Sequence, residues 1–146
     1  MKKTDAQRYL ASVRRKPAKS ESCLQRALIK WCRGMGAGVV NERFCSIPNG
    51  WGVSSATAKD RMIQGARLKA EGARAGMPDL IFWACKNHDG NLMPTMLWIE
   101  IKLGTSGIIS AAQRAVHDSL RENGHALAVC RDLAQAIKAI LQFYTP

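Results

Sequence analysis

The chain has 146 residues, 47% hydrophobic and 23% charged, the size and balance of one globular domain. No apolar run reaches the ~18–20 residues of a membrane helix, and the opening MKKTDAQRYLASVRRK lacks a signal peptide's apolar segment; a soluble, cytoplasmic protein is expected. Lys and Arg total 22 against 11 acids, a net charge of +11 that favours a polyanionic partner, nucleic acid ahead of an acidic membrane surface.

Residues 1–19 read as a basic N-terminal arm, with Arg14, Arg15, Lys16 and Lys19 around Pro17, and 20–146 as one domain. A helix is expected from Ser20 or Ser22, where SxxQ (Ser22 to Gln25) fits a capping box. Leu24, Ala27, Leu28, Trp31 and Cys32 form its apolar stripe, and GMGAG ends it. VVNERFCSI, Val39 to Ile47, is a strand candidate, and PNG, Pro48 to Gly50, a turn. A second helix is predicted from Ser55 to Ala70, with Met62, Ile63 and Ala66 inward, a basic outer face, and Gly72 as its stop.

DLIFWA, Asp79 to Ala84, is a short apolar strand, NHDGN a turn, and Thr95 to Lys102 the return strand. After the GTSG loop, Ser110 caps a helix reaching Asn123 and closed by Gly124. ALAVC, Ala126 to Cys130, is a buried strand. Asp132 caps a last helix carrying Leu133, Ala136, Ile137, Ile140 and Leu141 on one face. Such interleaving predicts an α/β fold: a mixed central β-sheet of about four strands flanked by helices.

Cys23, Cys32, Cys45, Cys85 and Cys130 are scattered without a CxxC pair, against a disulfide framework or a zinc ribbon; most are expected to be buried. His88, His117 and His125 have no metal-ligand spacing.

In LWIEIK, Leu97 to Lys102, period-two alternation puts Glu100 and Lys102 on one face of the strand. Pro78 holds Met77 extended and leaves Asp79 at the mouth of the preceding strand. A hairpin between the two strands brings Asp79 to Glu100. Two carboxylates beside a lysine suit a hard divalent cation, with the backbone carbonyl of Ile101 as a third oxygen ligand. That chemistry serves phosphodiester hydrolysis: the ion activates water and neutralises growing charge, while Lys102 orients the water or pairs with the phosphate. A surface ion pair worth about 0–1 kcal/mol is the plain alternative for an ExK pair alone.

GMPDLIF…WIEIKLGTSGIISAAQ resembles the PD-(D/E)XK nuclease superfamily and, within it, the VRR-NUC (virus-type replication-repair nuclease) domain, over about residues 21–137. The resemblance implies a nuclease core of order helix-strand-strand-strand-helix-strand, with the basic helix as an insertion. It implies Asp79 and Glu100 as metal ligands, Lys102 as the catalytic lysine, and Gln113 facing the site. Glu21 aligns with an acid that often completes the metal site in relatives. Its other reading is a first-turn acid favoured by the helix dipole. Gln113 has a competing role, since SAAQ is itself a capping box from Ser110.

IPNGW resembles a turn of these nucleases, with Trp51 where relatives often have another glycine; Asn49 and Trp51 are candidate substrate contacts. Lys59, Arg61, Arg67, Lys69 and Arg74 are candidate phosphate contacts. The expected protein is therefore a Mg²⁺- or Mn²⁺-dependent endonuclease acting on branched or duplex DNA. Structure-selective cutting, as of four-way junctions, and a homodimer are expected by analogy with junction-resolving enzymes of the superfamily. A non-catalytic DNA-binding protein on the same fold, and a nuclease for RNA or linear ends, are the alternatives.

Overall fold

The computed structural model describes residues 18–47, 57–104 and 107–144. Along the chain lie α1 (Glu21–Arg33), α2 (Ala37–Val40), β1 (Phe44–Ser46), α3 (Ala58–Ala70), β2 (Leu80–His88), β3 (Asn91–Ile101), α4 (Ala111–Glu122), β4 (Ala126–Cys130) and α5 (Leu133–Tyr144). The sheet order is β1-β2-β3-β4. β1, β2 and β3 pair antiparallel, and β4 joins β3 in parallel, with α4 as the crossover. This is the mixed four-stranded sheet flanked by helices that the sequence pattern predicts. The PNG turn, Asn49, Trp51, Ser55 and nearly all of the N-terminal arm lie outside the described residues.

Several elements differ from expectation for local reasons. The cap of α1 is Ser20, not Ser22: Ser20 has the extended backbone of an N-cap and its hydroxyl accepts from the Cys23 N–H at 3.1 Å, while Ser22 is already helical. The expected strand over Val39–Ile47 shrinks to Phe44–Ser46. Val39 and Val40 close the single turn of α2, and Asn41 and Glu42 take left-handed backbones (φ 47° and 58°) that interrupt an extended run. The β2–β3 hairpin is longer than predicted. Asp89 and Gly90, both at positive φ, make the two-residue turn favoured by Asp-Gly, so pairing runs up to His88 opposite Asn91. β3 ends at Ile101, with Lys102 just beyond it.

Leu97, Ile99 and Ile101 of β3 point to one face, where they pack with Leu24, Leu28, Trp31 and Cys32 of α1 and Ala136, Ile137, Ile140 and Phe143 of α5. Each such buried aliphatic side chain contributes about 1.5–3 kcal/mol through burial. Trp98 and Glu100 point to the other face, where α4 buries Val116 and His117. β3 thus has strands on both sides and helices on both faces, which excludes water from Glu100.

The inward positions expected on α3 are instead exposed: Met62 at 76%, Ile63 at 58%, and Ala66 likewise; α3 buries no residue. Three apolar residues among Lys59, Arg61, Arg67 and Lys69 make too narrow a stripe to seat a helix. Its N-terminus is secured locally by a capping box between Thr57 and Asp60. Of the cysteines only Cys32 and Cys130 are buried, fewer than expected, and burial pushes both thiols up to about 12. Cys45 and Cys85 are exposed. No helix among the described residues is long and apolar enough to cross a membrane.

Candidate active site

The hairpin register assembles the site. Leu80 pairs with Ile99, so Asp79 comes abreast of Glu100. The Ile101 N–H donates to Asp79 Oδ2 at 2.7 Å, tying the start of β2 to the end of β3. Glu100 is 1% exposed. Its Oε1 lies 2.8 Å from Lys102 Nζ and accepts from Gln113 Nε2 at 2.5 Å. The side chain of Lys102 is itself largely buried. This burial rules out the plain surface ion pair. Glu21 reaches the rim from α1: its Oε1 accepts from the Leu103 N–H at 3.2 Å and lies 4.0 Å from Lys102 Nζ.

Charge within the cluster follows from burial and proximity. Burial pushes the Glu100 carboxyl up; the Lys102 hydrogen bond opposes this, and the charges of Asp79 and Glu21 add to it. Burial alone would pull Lys102 down. Its hydrogen bond to Glu100 and the fields of Glu100, Glu21 and Asp79 outweigh that and hold it above the ordinary lysine value. Lys102 is therefore an ammonium, a donor and a positive charge rather than a base.

Gln113 fills both roles that the sequence set in competition. Its Oε1 accepts from the Ser110 N–H at 3.0 Å, completing the capping box, while its Nε2 donates to Glu100. A carboxamide has an acceptor at one end and a donor at the other, so the roles do not exclude each other.

Three further residues shape the site without having been singled out from the sequence. Gly76, in the GMPD segment, has φ +89°, and a Cβ there would collide with the Ala112 carbonyl and the Gln113 amide in the first turn of α4. The segment can therefore lie against the turn that carries Gln113. Arg131 Nη1 donates to the carbonyls of Gly104 at 2.7 Å and Gly107 at 3.0 Å, anchoring both of these glycines after Lys102. His117 is 2% exposed, with Nε2 3.6 Å from Glu100 Oε2. Burial, with the charges of Arg121 and Lys102, holds its imidazole below the ordinary value against the opposing pull of Asp118. The sequence signal for His117 was its spacing: it stands four residues after Gln113, on the same helix face.

The donor chemistry fits a divalent cation. Glu21, Asp79 and Glu100 all act on the single ammonium of Lys102, and carboxylate oxygens are the ligands hard cations take. Among the described residues no three His, Cys, Asp or Glu side chains close into a finished cage. The basic residues lie elsewhere: Lys59, Arg61, Arg67 and Lys69 on α3, and Arg74 just beyond it, all exposed. Arg67 Nε pairs with Glu71 Oε1 at 2.8 Å. Asn49 lies outside the described residues.

A family model described as the VRR-NUC domain matches residues 41–132. A solved structure described as a VRR_NUC domain protein is similar in fold, with a TM-score of 0.62 and 21% identity, covering 85% of this chain and 86% of that chain. No curated protein matches.

Proposed function

Because this chain belongs to the VRR-NUC domain family, a nuclease family, we propose that it is a metal-dependent endonuclease that hydrolyses DNA phosphodiesters. The observation that carries the reading is the convergence of Asp79, Glu100 and Lys102 at the end of β3. Asp79 and Glu100 would hold Mg²⁺ or Mn²⁺, with the Ile101 carbonyl and Glu21 as additional oxygen ligands. When bound, the ion supplies charge neutralisation at the phosphate and lowers the pKa of water.

The chain's own side chains do the rest. Lys102, kept protonated, donates to a phosphate oxygen or to the attacking water. Gln113 holds Glu100 in place while capping α4. Arg131 anchors Gly104 and Gly107 after Lys102. Lys59, Arg61, Arg67, Lys69, Arg74 and Asn49 are proposed to contact the DNA backbone, which fixes register without reading sequence. No zinc finger or other base-reading module is recognisable in the sequence, which supports structure-selective cutting of branched DNA in replication, recombination or repair. A homodimer would extend the surface available to such a substrate.

The test compares end-labelled four-way junction, flap, duplex and single-stranded DNA with Mg²⁺, Mn²⁺ or EDTA. Cleavage is expected with either metal, fastest on the branched substrates, and absent in EDTA. Lys102→Ala and Asp79→Ala should each slow it by on the order of 10²–10³. Cleavage unchanged in both variants removes the site. Sedimentation at micromolar concentration is expected to give a dimer, and a monomer counts against the junction-cutting form.

A further inference from the structure

The two oxygens of Glu100 have different surroundings. Oε1 receives Lys102 and Gln113. Oε2 is buried without a hydrogen-bond partner, and so is the His117 Nε2 that faces it from 3.6 Å. A buried polar atom left unpaired is unfavourable, and more so when charged. Two such atoms side by side therefore form a natural pair. Gln113 and His117 stand four residues apart on α4, so one helix face presents a nitrogen to each carboxylate oxygen.

We propose that His117 is a positioning residue whose Nε2–H fixes Oε2 of Glu100, setting the plane in which the carboxylate meets a cation. A shift of about 0.5 Å brings the pair to hydrogen-bond length. Met, Leu or Phe would pack as well as His in a purely apolar position; an imidazole there brings a donor that the core itself does not need. The inference rests on the reading of Glu100 as a metal ligand. Outer partners of metal-binding carboxylates orient them, and losing one typically costs 10–100-fold in metal affinity.

The experiment is calorimetric titration of Mn²⁺ into DNA-free protein, with thermal unfolding of each variant alongside. Wild-type protein is expected to bind and Glu100→Gln to lose binding. His117→Leu should weaken binding by about 10–100-fold while remaining folded. His117→Gln, whose amide nitrogen reaches the Nε2 position, should bind nearly as wild type, whereas the shorter His117→Asn should bind as weakly as the Leu variant. If the Leu variant does not fold, the Gln and Asn pair decides, and equal affinities in those two overturn the inference. Wild-type affinity in a folded His117→Leu overturns the inference alone. Wild-type protein that binds no Mn²⁺, or Glu100→Gln that binds equally well, overturns the metal-site reading and this inference with it.

Discussion

The end of β3 and the helix α3 are built in opposite ways, and under the proposed function each suits a different way of handling a phosphate. At the end of β3 an acid that is 1% exposed is held by a lysine and a glutamine, and a second acid is pinned by a backbone N–H. On α3 the thirteen residues bury nothing, and the basic groups stand on exposed stems. Bond breaking needs atoms fixed within fractions of an ångström, which only packing and multiple hydrogen bonds provide. Gripping a repeating polyanion needs only positive charge within reach, and the release of counterions supplies the binding energy.

If that contrast is right, small steric changes should be severe at the first region and mild at the second. The largest effect is expected at Gly76. Alanine there must hold a left-handed backbone and press against the first turn of α4. The conformational term is about 1–2 kcal/mol and the overpacking about 1–3 kcal/mol, giving a loss of about 2–5 kcal/mol. Denaturant unfolding measures it. Cleavage by the folded fraction should also fall, because α4 carries Gln113 away from Glu100. An unfolding midpoint equal to wild type would mean that α4 gives way freely, and the fixed geometry argued for this region would be lost.

On α3, replacing Lys59 and Lys69 with alanine should leave the unfolding midpoint almost unchanged, since both side chains are exposed. Affinity for DNA should drop similarly for every sequence tested. The slope of log K against log salt should become shallower by about 1 for each phosphate contact removed. Binding isotherms at several salt concentrations check this, and an unchanged slope would take these lysines off the DNA. The Arg67–Glu71 pair is exposed on both sides, so breaking it should change stability by no more than about 0.5 kcal/mol.

How much of this was legible in the residues follows the same division. Strands with strong alternation and helices with wide apolar stripes could be read directly. ALAVC gave β4 within its observed bounds, and the Ser110 cap, α4 and α5 lay where capping and periodicity placed them. The approach of Asp79 to Glu100 was legible because a two-strand hairpin with an Asp-Gly turn leaves little choice of register. What the sequence hid was long-range geometry. Gly76 needs its glycine because of a helix turn more than thirty residues later. His117 faces Glu100 on a strand, and its spacing from Gln113 alone does not reveal that approach. Val39 and Val40 looked like strand because both are β-branched, but Val40 reaches the core from a helical turn and Val39 is only half-buried. Local propensity set the wrong element there, and tertiary packing decided.

The misread face of α3 supplies the smallest expected effect and the cleanest test of the comparison. Met62 and Ile63 were expected inward because apolar residues on one side of a helix usually mark its buried face. They are exposed, so their apolar area gains little from folding. Met62→Gln and Ile63→Gln keep helix propensity near its present level and remove only apolar surface. Each should change stability by less than about 0.5 kcal/mol, whereas Leu28→Ala, fully buried under β3, should cost about 2–5 kcal/mol. Chemical denaturation of the three variants side by side gives the ratio directly. A loss above about 1 kcal/mol at position 62 or 63 would mean that α3 leans on a surface in solution. The basic helix would then be a fixed part of the fold, and the division between a rigid cutting end and a loosely held gripping helix would fail.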